Sequence, residues 1–325
     1  MDIRTFFGSS KISSPHILPP PSDEQKEILQ AVQEGNNIMV DAVAGSGKTT
    51  TNLLIAQDFR DKTVLVFTYN ARLKTETRQR VKDLGLTNIH VHSYHSFGLK
   101  YYTSPCMNDT HLLNIVKYNY PMKEKLNPDI VVIDEAQDMT SPYYCFVRKS
   151  LFDMNNNTSQ LVVLGDHMQC IYDFPQKGAD YRFLTLAPQI WKNSKPWVTL
   201  HLRTSYRITK NMEYFVNEAV LGYPRMKAIK HHDFPVHYVT GNAFTNIPKY
   251  IVDKVTTLLQ TYQADDIFIL SPTVRTPNAA NPIKVLENEL VKRGISCYVP
   301  LSDDEKLQDD VLKGKVVFSS FHQSK

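Results

Sequence analysis

The chain has 325 residues, of which 42% are hydrophobic and 22% charged, an ordinary globular composition. Its 37 Lys+Arg stand against 33 Asp+Glu, a net charge of +4, so a nucleic-acid surface would have to be a local groove rather than a property of the whole. No apolar run approaches the ~20 residues that span a bilayer, and the four cysteines are dispersed with no CxxC pair; these features argue against membrane, collagen and disulfide-scaffold classes and predict a reducing compartment.

In chain order, residues 1–21 read as a tail. Pro15, Pro19, Pro20 and Pro21 with Ser9, Ser10, Ser13 and Ser14 deny it helix or ladder bonding. Ser22-Asp23-Glu24-Gln25 has a capping-box pattern ahead of Ile28, Leu29 and Val32, which predicts a helix that Gly35 ends. Short β-rich runs follow at 37–43, 63–68, 88–92, 129–134, 160–165 and 197–202, with helical stretches such as 48–59 and 71–84 between them. Apolar strands alternating with helices predict βαβ units around a buried parallel sheet. After about residue 203 a second, smaller α/β set is expected: strands at 236–240, 266–270, 296–299 and 315–318, helices at 250–262 and 282–293. The length also suits two domains.

The first strand runs through Ala42 and Val43 into Ala44-Gly45-Ser46-Gly47-Lys48-Thr49-Thr50. Small residues between a strand and a helix let backbone N–H groups converge on phosphate oxygens at the helix N-terminus. Lys48 would reach the β- and γ-phosphates, and the Thr49 hydroxyl would ligate magnesium. Later, Ile130-Val131-Val132-Ile133 delivers Asp134 and Glu135 to the carboxyl edge of the sheet, where ligands of open parallel sheets bind. Asp134 would hold magnesium and Glu135 would orient and deprotonate an attacking water.

Taken together, Ala44–Thr50 and Asp134-Glu135-Ala136-Gln137-Asp138 resemble a superfamily 1 helicase of the UvrD/Rep-like group, in which Ala is usual at the position of Ala42. Further segments in the same order carry the resemblance. Pro20–Gln25 is similar to the family's stretch ahead of the phosphate loop, which implies that Gln25 reads the adenine edge. Val66–Arg72 resembles motif Ia, with Phe67, Tyr69 and Asn70 on single-stranded DNA; the two aromatics fit a base or a core equally well. His92–Phe97 resembles motif Ib, which implies His95 and Ser96 on the DNA backbone. Leu164–Phe174 resembles motif III, which implies that Gln169 senses the γ-phosphate and Phe174 stacks on a base, although Pro175 replaces a usual Arg. Leu202–Thr209 resembles motif IV, which implies Tyr206 on adenine and Arg207 as an arginine finger. Residues 318–325 resemble the opening of motif V, so the resemblance implies a core cut inside that motif, without motif VI.

The fold implied is two RecA-like P-loop domains with parallel sheets, the second incomplete: a tail at 1–21, an ATP-binding domain at 22–202 and a second domain at 203–325. The activity implied is an ATP-dependent, magnesium-requiring DNA helicase or single-strand translocase, moving 3′ to 5′, with ATP in the cleft between the two domains. Its substrate would be single-stranded or partly duplex DNA, its location intracellular, in nucleus or cytoplasm (or a host cell, for a viral source). The alternative is a nucleotide-dependent DNA-binding adaptor without unwinding. Only about thirty residues separate Phe97 from Asp129, too few for the insertion that UvrD-like enzymes usually carry there. Residues 100–125 place Tyr101, Tyr102, Tyr118 and Tyr120 among lysines, a pattern for a core helix or for single strands. Finally, Met1–Gly8 resembles a sliding-clamp-binding peptide, which implies Ile3, Phe6 and Phe7 as the plug and residues 9–21 as a tether.

Overall fold

The computed structural model describes residues 17–69, 71–102, 106–171, 178–231, 234–242, 246–274, 281–300 and 309–321. Two compact units divide the chain: Ile12–Val236 forms one, and His237–Lys325 belongs to the other. Residues 203–236 are therefore held with the first unit.

That unit is built on a six-stranded sheet of β1 (Asn37–Ala42), β2 (Val64–Thr68), β3 (Ile89–Ser93), β4 (Ile130–Ile133), β5 (Gln160–Gly165) and β6 (Trp197–Leu202). The order is β3-β2-β4-β5-β1-β6, and every neighbouring pair is parallel. All six strands fall where the alternation of apolar runs and helical stretches places them. Each buried run is apolar on both faces because helices cover both sides. Period-two alternation sorts the residues. Met39, Leu65, Phe67, Val131, Ile133, Leu161 and Val163 face one core, with α4 (Tyr94–Tyr101), α5 (Asp109–Lys117) and α6 (Ser141–Asn155). Ile38, Val40, Val64, Val66, Ile130, Val132, Val162 and Leu164 face the other, with α1 (Asp23–Gln33) and α2 (Lys48–Asp58). Val81 of α3 (Ala71–Asp83) packs against this second core. Short helices α7 (Arg182–Thr185) and α8 (Ala187–Ile190) lead into β6.

Beyond β6 the chain forms β7 (Thr204–Thr209), α9 (Lys210–Tyr214), a π-helical turn at Phe215–Leu221 and β8 (Lys227–Lys230). β7 and β8 pair in parallel as a two-stranded sheet.

In the second unit, β9 (Phe268–Ser271), β10 (Cys297–Tyr298) and β11 (Val316–Ser320) form a parallel sheet in the order β10-β11-β9. Val252 and Val255 of α10 (Asn246–Leu258) and Leu286 and Leu290 of α11 (Pro282–Lys292) pack with Val316 and Phe318. A single turn, α12 (Asp309–Leu312), precedes β11. The strand expected at 236–240 does not form, and Val236, Tyr238 and Val239 are exposed. The observed architecture is α/β with parallel sheets, as expected. Among the described residues, no helix is long and apolar enough to cross a membrane.

Candidate active site

The carboxyl edge of the six-stranded sheet gathers most of the polar residues singled out above. After β1 the chain turns through two left-handed glycines, Gly45 (φ 72°) and Gly47 (φ 91°), a conformation costly for residues with a Cβ. Gly47 caps α2 without any side-chain bond. The first-turn N–H groups of α2 are thus left to the loop, at the positive end of the helix dipole. Ser46 Oγ is buried there without a hydrogen-bond partner. Residues of β7 back the loop: Ser205 Oγ donates to Ala44 O (2.7 Å) and Tyr206 N–H to Gly45 O (2.9 Å). A Cβ on Gly45 would overlap Arg207 Cβ, so this glycine is required by its φ and by its neighbour. Ala42 and Val43 are buried at the strand end, and the Val43 N–H is spent on Leu202 O (2.9 Å). They build the loop's root.

Lys48 points across this loop to the end of β4, with Nζ 3.5 Å from Glu135 Oε1. Burial pulls the Lys48 ammonium down, but the charges of Glu135, Asp134 and Asp166 outweigh it and leave its pKa above the ordinary value. Asp134 is buried and accepts from Asn52 Nδ2 (3.2 Å) and from the Glu135 N–H (3.0 Å). Burial, and then the charge of Glu135, pushes its carboxyl well above the usual carboxylate range. Three carboxylates therefore act on one ammonium. That excess of hard oxygen donors, with the Thr49 hydroxyl in the first turn of α2, fits a divalent cation such as Mg2+.

Glu135 turns out of the sheet in a left-handed conformation (φ 55°, ψ 44°), which costs a non-glycine residue about 1–2 kcal/mol. Gln137 holds it there. Its buried amide donates from Nε2 to Glu135 Oε2 (2.6 Å), while its Oε1 accepts the Asp166 N–H (3.0 Å) at the end of β5. A Cβ on Gly165 would overlap that same Oε1. Asp166 in turn accepts from Gln169 Nε2 at Oδ2 (2.8 Å). Asn52, Gln137 and Asp166 carry no assigned role in the sequence reading. Gln137 and Asp166 do lie inside motif segments, which marks them without giving them a role, and Asn52 has no such signal.

Gln25 is brought to the loop: a Cβ on Gly47 would lie 3.3 Å from its Nε2. Its Oε1 accepts the Ser22 N–H in the capping box and its Nε2 donates to Thr51 Oγ1 (both 3.0 Å). Thr50 is half-buried beside Arg80, and Tyr206 and Arg207 are exposed next to Gly45.

The residues expected on DNA differ in their placement. Phe67 is fully buried, 4.9 Å from the Phe97 ring. Of the two readings open for Phe67, base or core, the ring takes the core one: it lies on the core side of β2 with Tyr94 and Phe97, so Phe67 is not a base-stacking residue. Ser96 closes the α4 capping box with Ser93, so its hydroxyl is committed to the helix end. Tyr69 is half-buried against Tyr143, ring centroids 6.1 Å apart. His95 Nε2 lies 3.0 Å from Asp109 Oδ1. Tyr101 and Tyr102 are core, whereas Tyr118 is exposed. Asn70 and Phe174, and Ile3, Phe6 and Phe7 of the clamp-like peptide, lie outside the described residues.

Residues 25–175 match the AAA_19 family, an AAA domain. This span holds the phosphate loop, Asp134, Glu135 and Gln169. No curated protein matches the chain. Similar solved structures include Pif1 helicase from Candida albicans (19% identity, 56% of this chain and 40% of that one, TM-score 0.35). Unliganded Pif1 from a Bacteroides species is 16% identical over 61% of this chain and 45% of that one, with a TM-score of 0.36. A third structure, of forked duplex DNA unwinding by two coordinating Pif1 helicases, is 14% identical over 78% and 55%, with a TM-score of 0.38. The chain thus spans 40–55% of the length of these structures.

Proposed function

We propose that this chain carries the motor core of a superfamily 1 helicase that hydrolyses ATP and moves along single-stranded DNA, 3′ to 5′. The observation that carries the reading is the meeting of Lys48 and Glu135, 3.5 Å apart, over an uncapped helix N-terminus. In this reading Lys48 and the N–H groups of Ala44–Thr50 bind the phosphates. Gln25 and Tyr206 hold the adenine. Thr49 and Asp134 hold Mg2+, which supplies charge neutralisation on the phosphates. Glu135, oriented by Gln137, takes the proton of the attacking water. Gln169 faces the terminal phosphate, and Arg207 offsets charge on the transferring group. Tyr69 and His95, with Asn70 and Phe174, contact the strand. The motif order supports the superfamily 1 assignment, and the AAA-domain match supports nucleotide binding.

The test is steady-state ATP hydrolysis with and without single-stranded DNA, alongside nucleotide binding. Lys48→Ala should lose both binding and turnover. Glu135→Gln should keep binding and lose turnover by about 100-fold or more, the usual worth of a positioned general base. Unchanged hydrolysis in Glu135→Gln would sink the assignment. DNA binding that responds to nucleotide without strand separation would favour the adaptor reading, and stimulation by RNA alone would remove DNA as the substrate.

A further inference from the structure

Beside the nucleotide residues lies a partly buried cluster in which Asp41, His167 and Arg225 have been given no role. Asp41 and Gly165 are register partners on the adjacent strands β1 and β5, so Asp41 and Asp166 stand at neighbouring strand ends. His167 Nδ1 lies 2.8 Å from Asp41 Oδ1. These three residues are grouped as a metal centre would be, but a guanidinium occupies their centre. Arg225 Nη2 donates to Asp166 Oδ1 (2.7 Å) and Asp41 Oδ1 (3.2 Å) and lies 3.4 Å from His167 Nδ1. The Arg225 side chain is 7% exposed, and its Nε is buried without a hydrogen-bond partner.

Arg225 is held from behind. Asn217, on the π-helical turn, accepts the N–H groups of Arg225 (3.1 Å) and Met226 (3.3 Å) and donates to Met226 O (2.8 Å). In front, Asp166 distributes the contact: its Oδ2 accepts Gln169 Nε2 and its N–H donates to Gln137, which grips Glu135. A carboxylate with one oxygen fixed by an arginine and the other on a glutamine amide sets where that amide points.

We infer that Arg225 is a positioning residue for nucleotide discrimination: through Asp166 it fixes the Gln169 amide, and so lets the site tell a nucleoside triphosphate from a diphosphate. This rests on the nucleotide-site reading above. The test titrates the intact chain with fluorescent ADP and a non-hydrolysable fluorescent ATP analogue, both with Mg2+. Arg225→Gln should leave ADP affinity near wild type and lower the triphosphate preference by about tenfold, the scale of one charge-assisted hydrogen bond. Combining it with Gln169→Ala should give no further loss, because the two act as one unit. Arg225→Lys keeps the charge but lacks the planar fork and should fall between; if Arg225→Gln does not fold, it decides alone.

Wild-type preference in Arg225→Gln, or in Arg225→Lys where that variant decides alone, overturns the inference. So does an equal weakening of both nucleotides, which is what a merely structural role would give. A wild-type chain that binds both nucleotides equally also overturns it. A wild-type chain that binds neither overturns instead the nucleotide site itself.

Discussion

One methyl group at Gly165 would collide with the side-chain amide oxygen Oε1 of Gln137, and the Gln137 amide is what holds Glu135 beside Lys48. Gly165→Ala should therefore displace the amide and misalign Glu135, the base in the proposed mechanism. A shift of about 1 Å in a catalytic group costs on the order of 100-fold in rate. The expected result is a large fall in turnover with nucleotide affinity nearly retained, measured as kcat against dissociation constant; equal kcat would show that Gln137 does not position Glu135. At this scale the chain could be read for Lys48, Asp134 and Glu135, because a Gly-rich loop and an acid pair after an apolar run are local patterns. It could not be read for Gln137 or Arg225. Their partners, Asp166 and Asp41, lie on other strand ends, and nothing in the neighbouring residues announces a long-range bond. Phe67 was open between base and core, and only the rings of Tyr94 and Phe97 around it settle that it is core.

Among the elements, α1 forms as expected because its start is written locally: Ser22 and Gln25 close the capping box and Gly35 follows the last turn with φ 78°. β7 and β8 are not legible as strands. Thr204–Thr209 is polar, Lys227–Lys230 is short, and they pair only after α9 and the π-helical turn bring them together. The joint between α3 and the edge strand β3 carries a pH dependence. Arg78 donates from Nε to Val91 O (2.7 Å), and its Nη2 lies 3.2 Å from His92 Nδ1, which accepts only while the imidazole is neutral. Burial first, then the Arg78 charge, pushes His92 from 6.5 down to about 3. Between those values the unfolded chain takes a proton that the folded one refuses, so stability is full above pH 6.5 and falls as the pH drops toward 3. The loss amounts to a few kcal/mol at most. Thermal melts from pH 7 to pH 4.5 should show a smaller fall in Tm for His92→Gln than for wild type; an equal fall would assign the acid sensitivity elsewhere.

At the scale of the whole molecule, the unit Ile12–Val236 holds both apolar cores of the six-stranded sheet, the phosphate loop, its β7 backing and the Arg225 cluster. Expressed alone, residues 12–236 should melt in one cooperative transition and bind ADP as the intact chain does, which calorimetry can check. Loss of ADP binding would place an essential part of the site in the second unit. The order of residues alone was enough for the class of fold and for the phosphate loop with its acid pair, because hydrophobic period, helix caps and strand-end chemistry are properties of neighbouring residues. The grouping of 203–236 with the first unit, the burial of Phe67 and Ser96's capping role came from the folded chain. So did the network running from Arg225 through Asp166 to Gln169 and, by way of Gln137, to Glu135. Each of these depends on strands distant in sequence ending side by side, where a buried charge or amide must find a partner or cost the fold its stability.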